Sequence, residues 1–138
     1  MMWTRDQFSI VDDPAQLDVA VVSRLLGETY WGQWRSREIV ERLIRHSLCF
    51  SLLSAQKQIG FARVVSDYTV FSWLSNLVIA DEFRDRGLGQ WMLDCILKHP
   101  DIEQTQFVLQ TRSACGLYER FGFEASEKLM TRVPPVDR

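Results

Sequence analysis

Glycine and proline are sparse in this chain of 138 residues, seven and four of them, and cysteine and histidine number only three and two. So few turn formers exclude a collagen-like repeat and argue against a low-complexity, disordered chain. Cys49, Cys95 and Cys115 are odd in number and far apart, with no Cys-x-x-Cys pair and only His46 and His99 beside them. Neither a disulfide framework nor a bound metal is expected. An excess of one charge is missing too: 16 Lys plus Arg face 18 Asp plus Glu, a net charge of −2. A protein that grips phosphate backbones needs a basic stripe, so no nucleic acid partner is expected. No apolar run approaches the ~20 residues that cross a bilayer, so no membrane partner is expected. The opening Met-Met-Trp-Thr-Arg-Asp-Gln is too polar and acidic for a signal peptide, which points to a reducing, cytoplasmic compartment.

Hydrophobic residues make up 46% and charged residues 25%, the balance of one globular domain over residues 1–138. A chain of this length buries somewhat under about 70% of its unfolded surface. Phe8 and Ile10 predict a short strand. Pro14 suits a first helical turn, and Leu17, Val21 and Leu25 recur four apart, which predicts a helix over 14–28. Ser36 can cap a second helix carrying Ile39, Val40, Leu43 and Ile44 on one face. Apolar runs at 48–53 and 59–65 around a polar turn predict a hairpin, and 70–79 a third long strand. A helix pattern after Gly89 stops near Lys98-His99-Pro100. A short strand at 107–109, a short helix at 114–121 and an extended stretch at 123–133 complete the order β-α-α-β-β-β-α-β-α-β, an α+β domain around one main sheet.

One segment carries chemistry. Between the long strand and the next helix stands Arg84-Asp85-Arg86-Gly87-Leu88-Gly89. A helix N-terminus presents unpaired N–H groups, glycines let an anion come close, and arginines add charge, so a phosphate-binding loop is expected; the plain alternative is a turn with surface arginines. The spacing fits neither the P-loop nor the three-glycine dinucleotide fingerprint.

The same loop resembles the Arg/Gln-x-x-Gly-x-Gly/Ala signature of the GCN5-related N-acetyltransferases (GNAT), and Leu117-Tyr118-Glu119-Arg120-Phe121-Gly122-Phe123 is similar to that family's second signature. The element order suits that fold over essentially the whole chain. Tyr30-Trp31, the hairpin segment from Gly60 to Asp67 and Lys98-His99-Pro100 are similar to a group of small bacterial members. The resemblance implies a mixed, mainly antiparallel central sheet with a splayed strand pair and helices on both faces. It implies that Leu77, Val78 and Ile79 offer main-chain groups to the pantetheine of acetyl-CoA. It implies further that Arg84, Asp85, Arg86, Gly87, Leu88 and Gly89 wrap the pyrophosphate, and that Tyr118 lies near the thioester sulfur as the catalytic acid, its alternative role being core packing with Phe121 and Phe123. Thr111 stands where many members have asparagine, and Asn76 where an acidic residue is expected.

Tyr30, Trp31, Trp34 and Trp73 are candidates for binding the acceptor, with core or interface packing as the alternative. Glu28, Asp67 and Asp81 are conceivable bases. Cys115 has no histidine beside it in sequence and is expected to be an inert, buried thiol, and His46 and His99 to be surface or helix-end residues. The resemblance implies an acetyl-CoA-dependent N-acetyltransferase acting on a small-molecule or peptide amine, without a metal and with a homodimer left open. The alternative from a different class is a catalytically weak acyl-CoA-binding sensor.

Overall fold

The computed structural model describes residues 1–27, 36–111 and 114–135. Its strands are β1 (Met2–Arg5), β2 (Phe8–Val11), β3 (Leu48–Ser54), β4 (Lys57–Ser66), β5 (Phe71–Ile79) and β6 (Gln106–Val108), and its helices α1 (Val19–Gly27), α2 (Arg37–Arg45), α3 (Leu88–Leu97) and α4 (Cys115–Glu119). All six strands form one sheet in sequence order, antiparallel except for the parallel pair β5–β6. The parallel pair is possible because α3 supplies the crossover.

Neighbouring residues of a strand face opposite sides of the sheet, and β3 shows which helix covers which side. Cys49 reaches the carbonyl of Ile44 at the end of α2, while the ring of Phe50 meets that of His99, just beyond α3, with centroids 5.7 Å apart. The helices therefore cover both faces, as the resemblance implies. Phe50, Leu52, Phe61, Met92, Leu93 and Ile96 are fully buried between them, each worth about 1.5–3 kcal/mol in apolar transfer.

Several expectations are corrected. Residues 2–5 form a strand that the polar N-terminus did not announce: Asp6, at φ 54°, turns the chain back and pairs Met2 with Val11 and Arg5 with Phe8. The helix expected over 14–28 is divided. Pro14–Gln16 is a 3-10 turn capped by Asp13, and Leu17 is extended. α1 then starts afresh at Val19, with the Asp18 carboxylate accepting the N–H groups of Ala20 (3.0 Å) and Val21 (3.3 Å). The extended stretch expected over 123–133 joins no strand of the sheet. His99 is a helix-end residue, just beyond the Lys98 cap of α3, but it is not at the surface. It is 2% exposed, and its Nδ1 accepts the N–H of Asp101 at 3.1 Å. Nε2 must therefore carry the proton it donates to Asp12 at 2.8 Å. Cys115, expected to be buried, is exposed, whereas Cys49 and Cys95 are buried.

Candidate active site

The site is built where β5 stops matching its neighbours. On one side, β4 pairs Phe61 with Val78 and then Arg63 with Ser75, so two residues of β5 oppose Ala62 alone. Asn76 takes the strain of that bulge at φ 60°, a left-handed conformation that Asn tolerates better than most residues. Its buried side-chain oxygen accepts hydrogen bonds from Arg63 Nε and from the Ser75 hydroxyl (3.1 Å), and Arg63 also donates to Ser47 at 3.1 Å. On the other side, β5 pairs with β6 only from Phe71 to Trp73. Beyond Trp73 and Val108 the two parallel strands part, and 74–79 carries no ladder on that side among the described residues. Leu77, Val78 and Ile79 thus form one wall of a fork, with Trp73, half-buried, at its base.

The chain leaves this wall through a 3-10 turn, Asp81–Phe83, and enters the 84–89 loop. Asp85 (φ 63°) and Gly87 (φ 75°) both adopt left-handed backbone, so successive N–H groups curl toward one side. Gly87 is the N-cap of α3 and has no side chain to cap it, and the first helical bond to its carbonyl comes from Trp91 at 3.1 Å. The N–H groups of Leu88, Gly89 and Gln90 therefore lack a helical partner at the positive end of the helix dipole. A Cβ added at Gly89 would meet nothing within 4 Å. The concavity is open, charged by the backbone, and of the kind that accepts phosphate oxygens.

The arginines divide their work. Arg84 donates from Nε to the Ile79 carbonyl at 3.1 Å and pairs with Asp81 at 2.7 Å, so its guanidinium ties the loop to the end of β5. Arg86 lies over the Phe83 ring, 5.2 Å from its centroid, and remains exposed. Of the two, Arg84 is held by an ion pair, whereas Arg86 is held over an aromatic ring with its charge exposed. This division of roles could not be read from the motif, which treats both residues alike.

Tyr118 is half-buried in α4, its ring 5.7 Å from that of Phe123 in an edge arrangement. Burial raises its phenol above the usual value of 10. Its hydroxyl makes no hydrogen bond among the described residues, and no ring contact or hydrogen bond joins it to the 84–89 loop. It lines, with Thr111, Cys115 and the chain from Phe123 to Leu129, a cavity of about 700 Å³ along β6. The structure thus brings the loop and the end of β5 together and sets Tyr118 on β6's side of the fork. Tyr30, Trp31, Trp34 and Glu28 lie outside the described residues. Asp67 is no candidate base: its carboxylate accepts the N–H groups of Thr69, Val70 and Phe71 at 2.8–3.0 Å and shapes the β4–β5 turn, at the opposite end of β5 from Leu77. Those same three bonds, the one from Phe71 foremost, hold its pKa below the usual 3.8. Asp81 is engaged by Arg84. Sequence reasoning singled out Asn76 but missed its link to Arg63, Ser75 and Ser47, because residues from two strands and the turn before β3 are gathered only by the tertiary fold.

Residues 33–125 match the acetyltransferase (GNAT) domain model. The chain belongs to the GNAT acetyltransferase family. A solved GNAT-family structure from Xanthomonas campestris pv. campestris is 35% identical, with 93% of this chain and 94% of that one covered and a TM-score of 0.87. A Gibberella zeae protein named as a putative acetyltransferase is 25% identical over an alignment of 114 positions, with 68% of this chain and 64% of that protein's length covered. A GNAT-family acetyltransferase from Elizabethkingia anophelis, solved with acetyl-CoA bound, shares the fold at a TM-score of 0.67 and 20% identity, with 89% of this chain and 80% of that one covered. In this GNAT domain the loop signature falls on the left-handed backbone at the start of α3, and the second signature spans the end of α4 and the turn after it.

Proposed function

We propose that this chain transfers the acetyl group of acetyl-CoA to a primary amine of a small molecule, an amino acid or a peptide terminus. The observation that carries this reading is the 84–89 loop, whose two left-handed residues and uncapped helix start leave backbone donors around an open concavity. The Elizabethkingia relative with acetyl-CoA bound supports the choice of anion. Acetyl-CoA supplies an activated thioester whose acetyl carbon takes the amine nitrogen while its bond to sulfur breaks. The amides at Leu88, Gly89 and Gln90 bind the pyrophosphate, with Arg86 closing over it. The unladdered edge of 74–79 holds the pantetheine by main-chain bonds, in the manner of a missing strand. An N–H of that edge, turned by the Asn76 bulge, polarises the reacting carbonyl. The Tyr118 hydroxyl, protonated at neutral pH from its ordinary value of 10 and held so more firmly by burial, donates its proton to the leaving sulfur, and the proton lost by the attacking nitrogen passes through solvent to restore the phenol. Trp73, at the base of the fork, packs against the acceptor. The cytoplasm is the compartment that suits three unpaired cysteines.

The test is release of free CoA thiol from acetyl-CoA across a panel of amines, with calorimetric binding of acetyl-CoA alongside. Turnover with at least one amine class supports the enzyme. Tight binding without turnover on any amine would replace it with a cofactor sensor, and no binding would remove both.

A further inference from the structure

The wall of the fork owes its phase to one residue. From Ser66 opposite Ser72 to Arg63 opposite Ser75, β4 and β5 keep a single register that would bring Leu77 opposite Phe61, yet Val78 stands there. Relative to a regular ladder, the extra residue exchanges the faces of the side chains at 77–79, and with them the main-chain groups that turn to β4 and to the open edge. Asn76 makes this shift by entering left-handed backbone at φ 60°. The other described non-glycine residues with such a φ, Asp6, Ala55, Tyr68 and Asp85, all lie between elements, and Asn76 alone lies inside a strand. Its side-chain oxygen is held by Arg63 Nε and by the Ser75 hydroxyl; a guanidinium only donates, so the atom that faces it is the oxygen. Arg63 is itself tied from Nη1 to the Ser47 hydroxyl at 3.1 Å, ahead of β3. There β3 and β4 are in regular register, with Cys49 opposite Arg63. The brace is thus fixed on unbulged sheet and holds the one residue of β5 that bulges.

We propose that Arg63 is a positioning residue for the acyl transfer: by holding the Asn76 side chain it fixes the bulge, and the bulge chooses which main-chain N–H of 77–79 faces the acetyl carbonyl. This role rests on the acetyl-CoA reading above and adds to it a side chain that acts through the backbone. Asparagine enters left-handed backbone more readily than most residues, yet nothing in a strand ladder demands that conformation. The bond from Arg63, charge-assisted and made to a side chain only 6% exposed, tips the choice. An extended residue 76 would turn the wrong N–H groups to the open edge, and the thioester would bind at the 84–89 loop with its carbonyl unpolarised. Ser47 keeps the guanidinium aligned on its target.

Infrared spectroscopy of bound acetyl-CoA labelled with heavy carbon at its carbonyl tests this, with calorimetry for affinity. A hydrogen bond to the carbonyl lowers its stretching frequency, so the band should move to lower frequency on binding to the unaltered protein. Arg63→Met, which keeps the length and removes the donors, should lose at least half of that shift. Affinity should stay within about threefold, because the 84–89 loop is untouched. Joining Asn76→Gly to Arg63→Met should restore most of the lost shift, since glycine enters left-handed backbone unaided, whereas general damage to the sheet would not be rescued there. If Arg63→Met folds poorly by circular dichroism, Ser47→Ala gives a smaller loss in the same direction, rescued in the same way. A full shift in folded Arg63→Met, a double variant no better than Arg63→Met alone, or an unaltered protein that binds acetyl-CoA without any shift would each overturn the proposal. An unaltered protein that does not bind acetyl-CoA would overturn the reading beneath it, and the proposal with it.

Discussion

Gly87 and Gly89 stand two residues apart in one motif, yet alanine at the two positions should act in opposite directions on stability, and only one physical account of the loop predicts both signs. Gly89 is the second residue of α3 and its φ is not left-handed. Alanine there restricts the unfolded chain and suits the helix, which is worth about 0.5–1 kcal/mol, and its methyl meets no atom within 4 Å. For a chain of this length that is a rise of roughly 2–4 °C in Tm. Gly87 has equal room, but its φ of 75° costs an L side chain about 1–2 kcal/mol, a fall of roughly 3–8 °C. Binding should follow a different rule. The open space above Gly89 is where phosphate oxygens must come within hydrogen-bond distance of the amides, so Gly89→Ala should weaken acetyl-CoA at least tenfold, about 1.4 kcal/mol. Thermal unfolding without ligand and titration calorimetry with acetyl-CoA give the two readouts on the same samples. A Gly89→Ala protein that is more stable and binds acetyl-CoA as well as the original would refute the cradle. One that is less stable would refute the helix geometry from which the cradle is inferred.

Tyr118→Phe keeps the ring against Phe123 and removes only the hydroxyl, so single-turnover transfer should fall by roughly 10² to 10⁴ with little change in cofactor affinity; an unchanged rate would leave Tyr118 a packing residue. The same phenol carries a pH signature: with its folded pKa raised by burial, the stability it contributes is complete below pH 10 and is lost as pH rises through the folded value, and Tyr118→Phe should flatten that alkaline limb of the denaturation curve. Cys49 and Cys95 are buried, with thiols pushed up by desolvation to about 11, whereas Cys115 is exposed, so the native protein should react quickly with one equivalent of an alkylating reagent, and Cys115→Ser should abolish that fast phase. Burial works to raise the pKa of Asp12, but the hydrogen bond from His99 and the Met1 ammonium outweigh it and hold the carboxyl below 3.8. Its contribution is therefore complete above that value and lost as pH falls through the folded pKa, and Asp12→Asn should lower stability at pH 6 while shrinking the loss on acidification below pH 4.

What the sequence determined by itself is what depends on near neighbours in the chain. Period and capping placed α2 behind Ser36, whose hydroxyl accepts the Ile39 N–H, and α3 at the paired glycines, where it starts one residue before Gly89. Alternating and continuous apolar runs placed the β3–β4 hairpin and β5. The loop was legible for the same reason: its backbone donors arise from one helix start and part of its shape from the left-handed Gly87, although the left-handed turn at Asp85 had no sequence signal. Tertiary structure decided what needs residues far apart. β1 exists because Val11 and Ile10 offer it an edge, not because Met2–Arg5 has a strong strand pattern. Burial of His99 is tolerated because Asp12, 87 positions away, accepts its hydrogen bond. The fork opens because β6 ends its ladder at Val108 and Asn76 bulges on the opposite edge, a consequence of register that no local pattern encodes. The stretch at 123–133 shows the same principle from the other side. Its composition favours an extended strand, but extension becomes a strand only when a neighbour supplies hydrogen bonds, and its own sheet supplies none.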